Sequence, residues 1–309
     1  MSVTARRIAA ALTLAVALQY RLPSGTVPGA ELDSSLETTL DLFQRIARSD
    51  LVVHVKTDDG TLRYAAVDVL DTLKGAAPAP RLRIAFRDFN LQRPAGVKPI
   101  VFPNGQEEIL FLVAPSLPAR RKIKDRNLFI LLRGADGRIS LPAEGSGETL
   151  EAVRQLASLT DREPTSQIEG LTRMIDGTNL ILIEAALDEI GRLHAATPKY
   201  YGRLMQLLSN PSPGLRSRAL HLIGSTFPAL EEGLDDPTLV DQRDAILAAV
   251  LERARNDPDN NVRVAAVAAV GAWPNSRDVE SELRAIAAQD PAQAVRYEAE
   301  RALFRSHPR

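Results

Sequence analysis

The hydrophobic rhythm of the chain changes three times. Between positions 8 and 18 only Thr13 is polar, and the positive pair Arg6 and Arg7 stands just before this run. That length and flank are those of a secretory signal, too short for a membrane span of about 20 residues. Ala15 and Ala17, and a second position near Ala30, supply small residues for cleavage. Leu32, Leu36, Leu40, Phe43 and Ala47 then recur at three- and four-residue spacing, which predicts one amphipathic helix. Beyond Leu51 the apolar runs are short, rich in Val, Ile, Leu and Phe, and parted by turn residues. This predicts strands near 51–56, 62–73, 81–86, 108–113, 128–133 and 138–141. Asp58-Asp59-Gly60 and Asp136-Gly137 suit hairpin turns, and short strands with no helical period between them predict a small closed or half-closed β-barrel.

In the second half the helical period returns, and the sequence repeats itself. Segments starting at Leu182, Leu215, Val262 and Val295 are spaced 33, 47 and 33 residues apart. Four residues on, every segment has alanine: Ala186, Ala219, Ala266 and Ala299. A helix that approaches its neighbour closely needs a side chain no larger than a methyl at the contact. Eight on stand Ile190, Ile223, Val270 and Leu303, and nine on stand Gly191, Gly224 and Gly271, with Phe304 in the fourth segment. The glycines suit left-handed helix C-caps. Asn210-Pro211, Asp257-Pro258 and Asp290-Pro291 precede three of the segments, placing an acceptor near the N-cap and a proline in the first turn. Each segment follows another apolar-periodic stretch, at 168–175, 200–208, 245–254 and 279–287, so each unit is a helical hairpin. The extra residues behind the 47-residue spacing, 227–240, are expected as a surface loop.

Composition narrows the chemistry. Apolar residues make up 45% of the chain and charged residues 25%, as in a folded globular protein. A net charge of −1 provides no overall field toward nucleic acid or anionic membrane. The charge is unevenly spread: 15 basic and 12 acidic residues lie between 50 and 150, against 18 and 23 between 151 and 309. That asymmetry fits two domains. With no cysteine, disulfides, Cys-based zinc sites, thiol nucleophiles and a lipidated N-terminal Cys are all excluded. His54, His194, His221 and His307 are isolated, no phosphate loop, dinucleotide glycine fingerprint or nucleophile elbow is present, and neither a cofactor nor a metal is expected. Glu107-Glu108 and Asp235-Asp236 are adjacent rather than convergent and are assigned to solvent. Arg120, Arg121, Lys122, Lys124 and Arg126 form a basic loop between two strands, read first as a charged, solvated hairpin loop and otherwise as a contact for a phosphate, a nucleic-acid backbone or an acidic protein face. The few aromatics nearby, Tyr64, Phe86, Phe89 and Phe129, argue against nucleic acid, whose bases need stacking partners.

The repeated segments resemble HEAT repeats of the form common in bacterial proteins and phycobilin-lyase relatives. The motif is full at Asp257, Pro258, Val262, Arg263, Ala265, Ala266 and Gly271, and partial at Asp290, Pro291, Val295, Arg296 and Ala299 and at Asn210, Pro211, Leu215, Arg216, Ala219 and Gly224. The first unit has Ile183 in place of the arginine. The resemblance implies that Arg216, Arg263 and Arg296 bridge to turn acids such as Asp257 and Asp290 of their own or a neighbouring unit. More loosely, Ser49 to Val53, Val67 to Leu70 with Lys74-Gly75, and Glu108 to Leu112 resemble small OB-like domains of the netrin and tissue-inhibitor type, which usually carry disulfides. The expected organisation is a signal and linker over 1–30, a helix plus OB-like β-barrel over 31–148, a linker helix over 149–164, and a HEAT-like α-solenoid over 165–309. Gly134 to Gly147 reads as the interdomain linker. The class is thus multi-domain α+β. The expected function is a non-catalytic, exported protein of the bacterial envelope, periplasmic or secreted, that binds a protein partner through the solenoid. The alternatives are a lyase-like enzyme with a polar cleft between the domains, and an inhibitor or ligand-binding role for the barrel.

Overall fold

Strand alternation builds the N-terminal part. The computed structural model describes residues 40–61, 64–86, 99–115, 125–132, 137–142, 144–195, 197–231, 237–273 and 277–306. Six strands fall where the sequence predicts them: β1 (Leu51–Gly60), β2 (Tyr64–Lys74), β3 (Arg81–Ala85), β4 (Glu107–Val113), β5 (Leu128–Leu131) and β6 (Arg138–Ser140). The pairing order β1-β2-β3-β5-β4 returns to β1 and closes a five-stranded barrel, with β3 and β5 parallel and the other pairs antiparallel. β6 pairs with β4, setting Ser140 opposite Glu108 and Arg138 opposite Leu110.

Because successive side chains point to opposite faces, Leu51, Val53 and Val55 of β1 enter the barrel interior with Val67, Leu82, Ile84, Leu110 and Leu112. The alternate residues Val52, Leu73, Ile109 and Phe111 belong to a second core outside the barrel, shared with the helices. Burial on both faces explains why β4 reads as an unbroken apolar run. Two helices cover this outer face. α1 (Leu42–Arg48) is capped by Asp41, whose side chain accepts from the Gln44 N–H at 2.7 Å. Lys74 Nζ donates to the carbonyls of Ile46, Ala47 and Ser49, fastening the other end of α1 to β2. The expected helix is therefore shorter in its described part: Leu40 and Asp41 precede it, because the Asp41 cap competes successfully with continuation. Residues 31–39 lie outside the described residues.

α2 (Ser146–Thr160) packs on α1 and β2, and Arg154 joins Asp71 at 2.6 Å. Ser146 and Gly147, expected in a linker, form its first turn, and Gly145 enters it at φ 80, a left-handed value that suits glycine. The C-terminal part consists of helices: α3 (Pro164–Ile175), α4 (Leu180–Arg192), α5 (Tyr201–Leu207), α6 (Pro213–Glu231), α7 (Pro237–Asn256), α8 (Asn260–Val270), α9 (Arg277–Gln289) and α10 (Gln293–Ser306). They pair as α3 with α4, α5 with α6, α7 with α8 and α9 with α10, and the second members touch in succession, α4 to α6 to α8 to α10. The chain is thus a mixed α/β structure, a closed barrel followed by helices. The extra residues expected as a loop lengthen α6 and α7 instead, leaving only 232–236 between them, outside the described residues. Among the described residues no helix is long and apolar enough to cross a membrane.

Candidate functional site

Ala186, Ala219, Ala266 and Ala299 are all fully buried, each on the second helix of its pair. The glycine column has another role than the one expected. None of Gly191, Gly224 and Gly271 has a positive φ; Gly191 and Gly224 lie inside helices, and Gly271 caps α8 in the right-handed region. Their missing side chain serves packing. A Cβ on Gly224 would sit 2.9 Å from the Ala269 Cα of the next second helix, and one on Gly271 2.7 Å from the Ala302 Cβ. A Cβ on Gly191 would meet the Leu222 Cδ1 at an ordinary 3.5 Å. Leu222, Ala269 and Ala302 hold one position of the repeat, seven residues past each start, so a single contact recurs at every step.

The predicted arginines follow the same register. Arg216 Nε and Nη2 each donate to Asp257 of the next pair at 2.8 Å, while Nη1 donates to the carbonyls of Asn210 and Pro211 in its own turn. Arg263 repeats this, with Nε and Nη2 on Asp290 at 2.9 and 3.1 Å and Nη1 on the Asp257 carbonyl. Among the described residues Arg296 makes only the inner half, donating Nη1 to the carbonyls of Asp290 and Pro291. The aspartates are buried. Burial pushes both carboxyls up, but the arginine hydrogen bonds, the N–H of Asp259 or Ala292, and the neighbouring positive charge outweigh it and hold them below the ordinary range. These acids are not the helix caps that the sequence suggests. Asp257 and Asp290 accept from N–H groups two residues on, as Asn210 does, and Asp259 caps α8. Pro258 and Pro291 therefore sit in the turns, whereas Pro164, Pro213 and Pro237 each open a helix.

A cleft of about 570 Å³ opens where α1 and β6 meet α4 and α6. Asp41, Arg45, Glu184, Asp188 and Arg218 line it with Leu40, Leu42, Ile139, Ile181 and Ala185. Arg218 Nε lies 2.9 Å from both Asp188 oxygens. Arg45 Nε donates to the Leu40 carbonyl. Burial, first of all, pushes the Asp41 carboxyl above the usual range against the hydrogen bond from Gln44, and the negative charges of Glu189 and Asp188 add to the rise. None of these five is singled out by a sequence motif. The available signal was Arg218, a cation in a column that holds Ala185 and Ala265 in two other units.

Of the basic loop, Arg120, Arg121, Lys122 and Lys124 lie outside the described residues, and Arg126 is exposed. Glu108, assigned to solvent by sequence, is fully buried in the barrel, because its parity on β4 matches Leu110 and Leu112. It accepts from Ser140 and lies 3.5 Å from Arg138, yet burial dominates and pushes its pKa above the ordinary glutamate range. Among the described residues, Glu108 Oε2 and the hydroxyl of Thr57 have no hydrogen-bond partner. Asp235 and Asp236 lie outside the described residues, as does His307. His54 Nε2 stands 3.1 Å from Glu107 across the β1–β4 pairing, a contact that helical spacing cannot reveal. Among the described residues no three His, Asp or Glu side chains are placed to hold a metal ion. No protein-family model matches the sequence, and no curated protein matches it.

Proposed function

We propose that the chain is a non-catalytic interaction protein of the bacterial cell envelope, exported by its N-terminal signal, which holds a protein partner on a HEAT-like α-solenoid beside an OB-like barrel. The observation that carries this reading is the recurrence of one set of contacts from pair to pair. The buried alanine column, the glycine against the next helix, and the arginine fork on the next aspartate recur in a common register. A stack of this kind buries its core between neighbours and leaves long faces for a partner. The ring order of the barrel, with its parallel β3–β5 pair, supports the OB-like resemblance.

The test is site-specific photo-crosslinking of the full chain in its native envelope. A crosslinker at exposed Leu180 or Tyr297 on the helices is expected to capture a discrete partner, and one at exposed Leu70 or Ile130 on the barrel is not. Adducts confined to the barrel positions would move binding there and favour the inhibitor-type alternative. Recovery of the chain with an uncleaved N-terminus in the cytosol would remove export. A second reading, a lyase-like enzyme or small-ligand protein, is favoured by the cleft and the raised pKa of Asp41. It stands second because Asp41 already caps α1 and Asp188 already holds Arg218.

A further inference from the structure

The ladder stops one partner short. Arg216 and Arg263 each spend Nη1 on carbonyls of their own turn and use Nε and Nη2 to grip an aspartate of the following pair. Arg296 is anchored through Nη1 in the same way, but no carboxylate meets its Nε and Nη2 among the described residues. Around it, α10 exposes large aromatic side chains. Tyr297 is 64% and Phe304 68% exposed, and they lie seven residues apart, on one helix face. The other cations of α10, Arg301 and Arg305, are held by Glu298.

We infer that Arg296, Tyr297 and Phe304 form a docking site for an extended acidic peptide segment of a partner protein, whose carboxylate occupies on Arg296 the place that Asp257 and Asp290 occupy on Arg216 and Arg263. This deepens the interaction reading proposed above and rests on it. A helical pair would not repeat there the contact of the previous step. The close approach at the previous step depends on Gly271, where even a Cβ would stand 2.7 Å from its neighbour, and α10 carries Phe304 in that column. A second copy continuing the row is excluded at its other end, since the first pair, α3 and α4, is already covered by α2 and α1. A tail-to-tail copy would bring like-charged Arg296 side chains together. A thinner chain fits, with an apolar residue against the two rings and an acid on the guanidinium fork, where bidentate geometry favours a carboxylate. Glu300, exposed between the rings, confines the acid to the Arg296 end.

The probe is a library of short random peptides displayed on phage and panned on the full-length chain. Selected peptides are expected to share an Asp or Glu beside an apolar residue, and as synthetic peptides to lose about tenfold or more in affinity on Arg296→Ala, with a further loss on Phe304→Ala. Arg301→Ala serves as the control and leaves affinity within about twofold. Arg296→Lys, which keeps the charge and the fold but loses the fork, is expected to fall between wild type and alanine. A selection without acidic residues, binding indifferent to both Arg296→Ala and Phe304→Ala, or no selected peptide overturns the proposal. So does a dimer that Arg296→Glu dissociates in light scattering, because the occupant would then be a second copy. These outcomes leave the crosslinking result at Leu180 standing, so the docking site and the broader interaction reading fail separately.

Discussion

Placing one methyl group on each glycine of the repeat column tests the close approach of the second helices. In a helix interior, Gly→Ala gains about 0.5–1 kcal/mol by restricting the unfolded chain and improving helix propensity. At Gly191 the new Cβ meets only the Leu222 Cδ1 at 3.5 Å, an ordinary contact with the end of a flexible side chain. Gly191→Ala is therefore expected to stabilise by about 0.5–1 kcal/mol. At Gly224 the Cβ would stand 2.9 Å from the Ala269 Cα and 3.1 Å from its Cβ, so the neighbouring backbone must move. Overpacking costs about 1–3 kcal/mol, which exceeds the propensity gain, and a net loss of about 1–2 kcal/mol follows. At Gly271 the obstacle is the Ala302 Cβ at 2.7 Å, and the right-handed φ of −66° adds no strain. Here Ala302→Gly should rescue Gly271→Ala: the double mutant is expected to show a favourable coupling of about 1 kcal/mol or more. Urea midpoints at constant slope measure each step. Equal stability of all three single mutants, or no coupling at Gly271 and Ala302, would refute the claim that these positions set the spacing of the helices.

Two further outcomes concern buried charge. Asp257→Asn or Arg216→Ala strands a charge that is buried with its partner and should cost about 3–5 kcal/mol in chemical denaturation, whereas Arg296→Ala, which breaks no ion pair among the described residues, should cost about 1 kcal/mol or less. Since the carboxyls of Asp257 and Asp290 are held low, their pairs stabilise fully above the ordinary aspartate value of about 3.9 and lose that contribution as pH falls through the folded value. Asp257→Asn should accordingly flatten the fall in stability below about pH 4, and an unchanged acid limb would contradict the pairing. Glu108 has the opposite sign. Its raised value leaves full stability below the ordinary glutamate value of about 4.3, and stability erodes as pH climbs through the folded one. Glu108→Gln should melt higher than wild type at neutral pH and equal it in acid; a lower melting temperature at neutral pH would place the charged form as the favoured one.

The six strands were legible because apolar alternation is local, but Asp58, Asp59 and Gly60, expected as the hairpin turn, continue β1, with Asp59 opposite Ala66 and Gly60 opposite Ala65. What closes the barrel is not local. The parallel match of Arg83 to Leu128 and the return of β4 to β1 bring together residues far apart in sequence. The same distance hid Glu108: an acidic pair reads as solvent-facing until the interior parity of Leu110 and Leu112 is known. In the helices the alanine column was readable as a packing position, and the glycine column was not, because a glycine near a helix end fits a left-handed cap as well as a close crossing. The Asp-Pro turns were misplaced by two residues because Asp257 and Asp259 are both acceptors, and only the hydrogen bonds tell turn from cap. The cleft residues Asp41 with Arg45, Asp188, and Arg218 come from three separate segments and leave no motif.

The outer core decides how the two parts can be studied. Phe43, Ile46, Val52, Leu73, Ile109 and Phe111 join the same buried cluster as Leu156, Ile183 and Leu187, without a break between barrel and helices. Cutting the chain between them would expose fully buried aliphatic and aromatic surface, each such side chain worth about 1.5–3 kcal/mol. An isolated helical half that failed to bind would then report a lost fold and not a lost site, which is why crosslinking and peptide selection are set on the full chain. The same cover gives the row of second helices a direction. Its first member, α4, meets α1 and α2 and has Ile183, fully apolar and buried, in the column where the later units carry arginine. Its last described member, α10, carries the arginine with its fork unfilled, Phe304 in the glycine column, and Glu300 where Leu187, Leu220 and Val267 are buried. That asymmetry, with α4 covered by α1 and α2 while α10 is both apolar and cationic on its exposed side, points the search for a partner at α10.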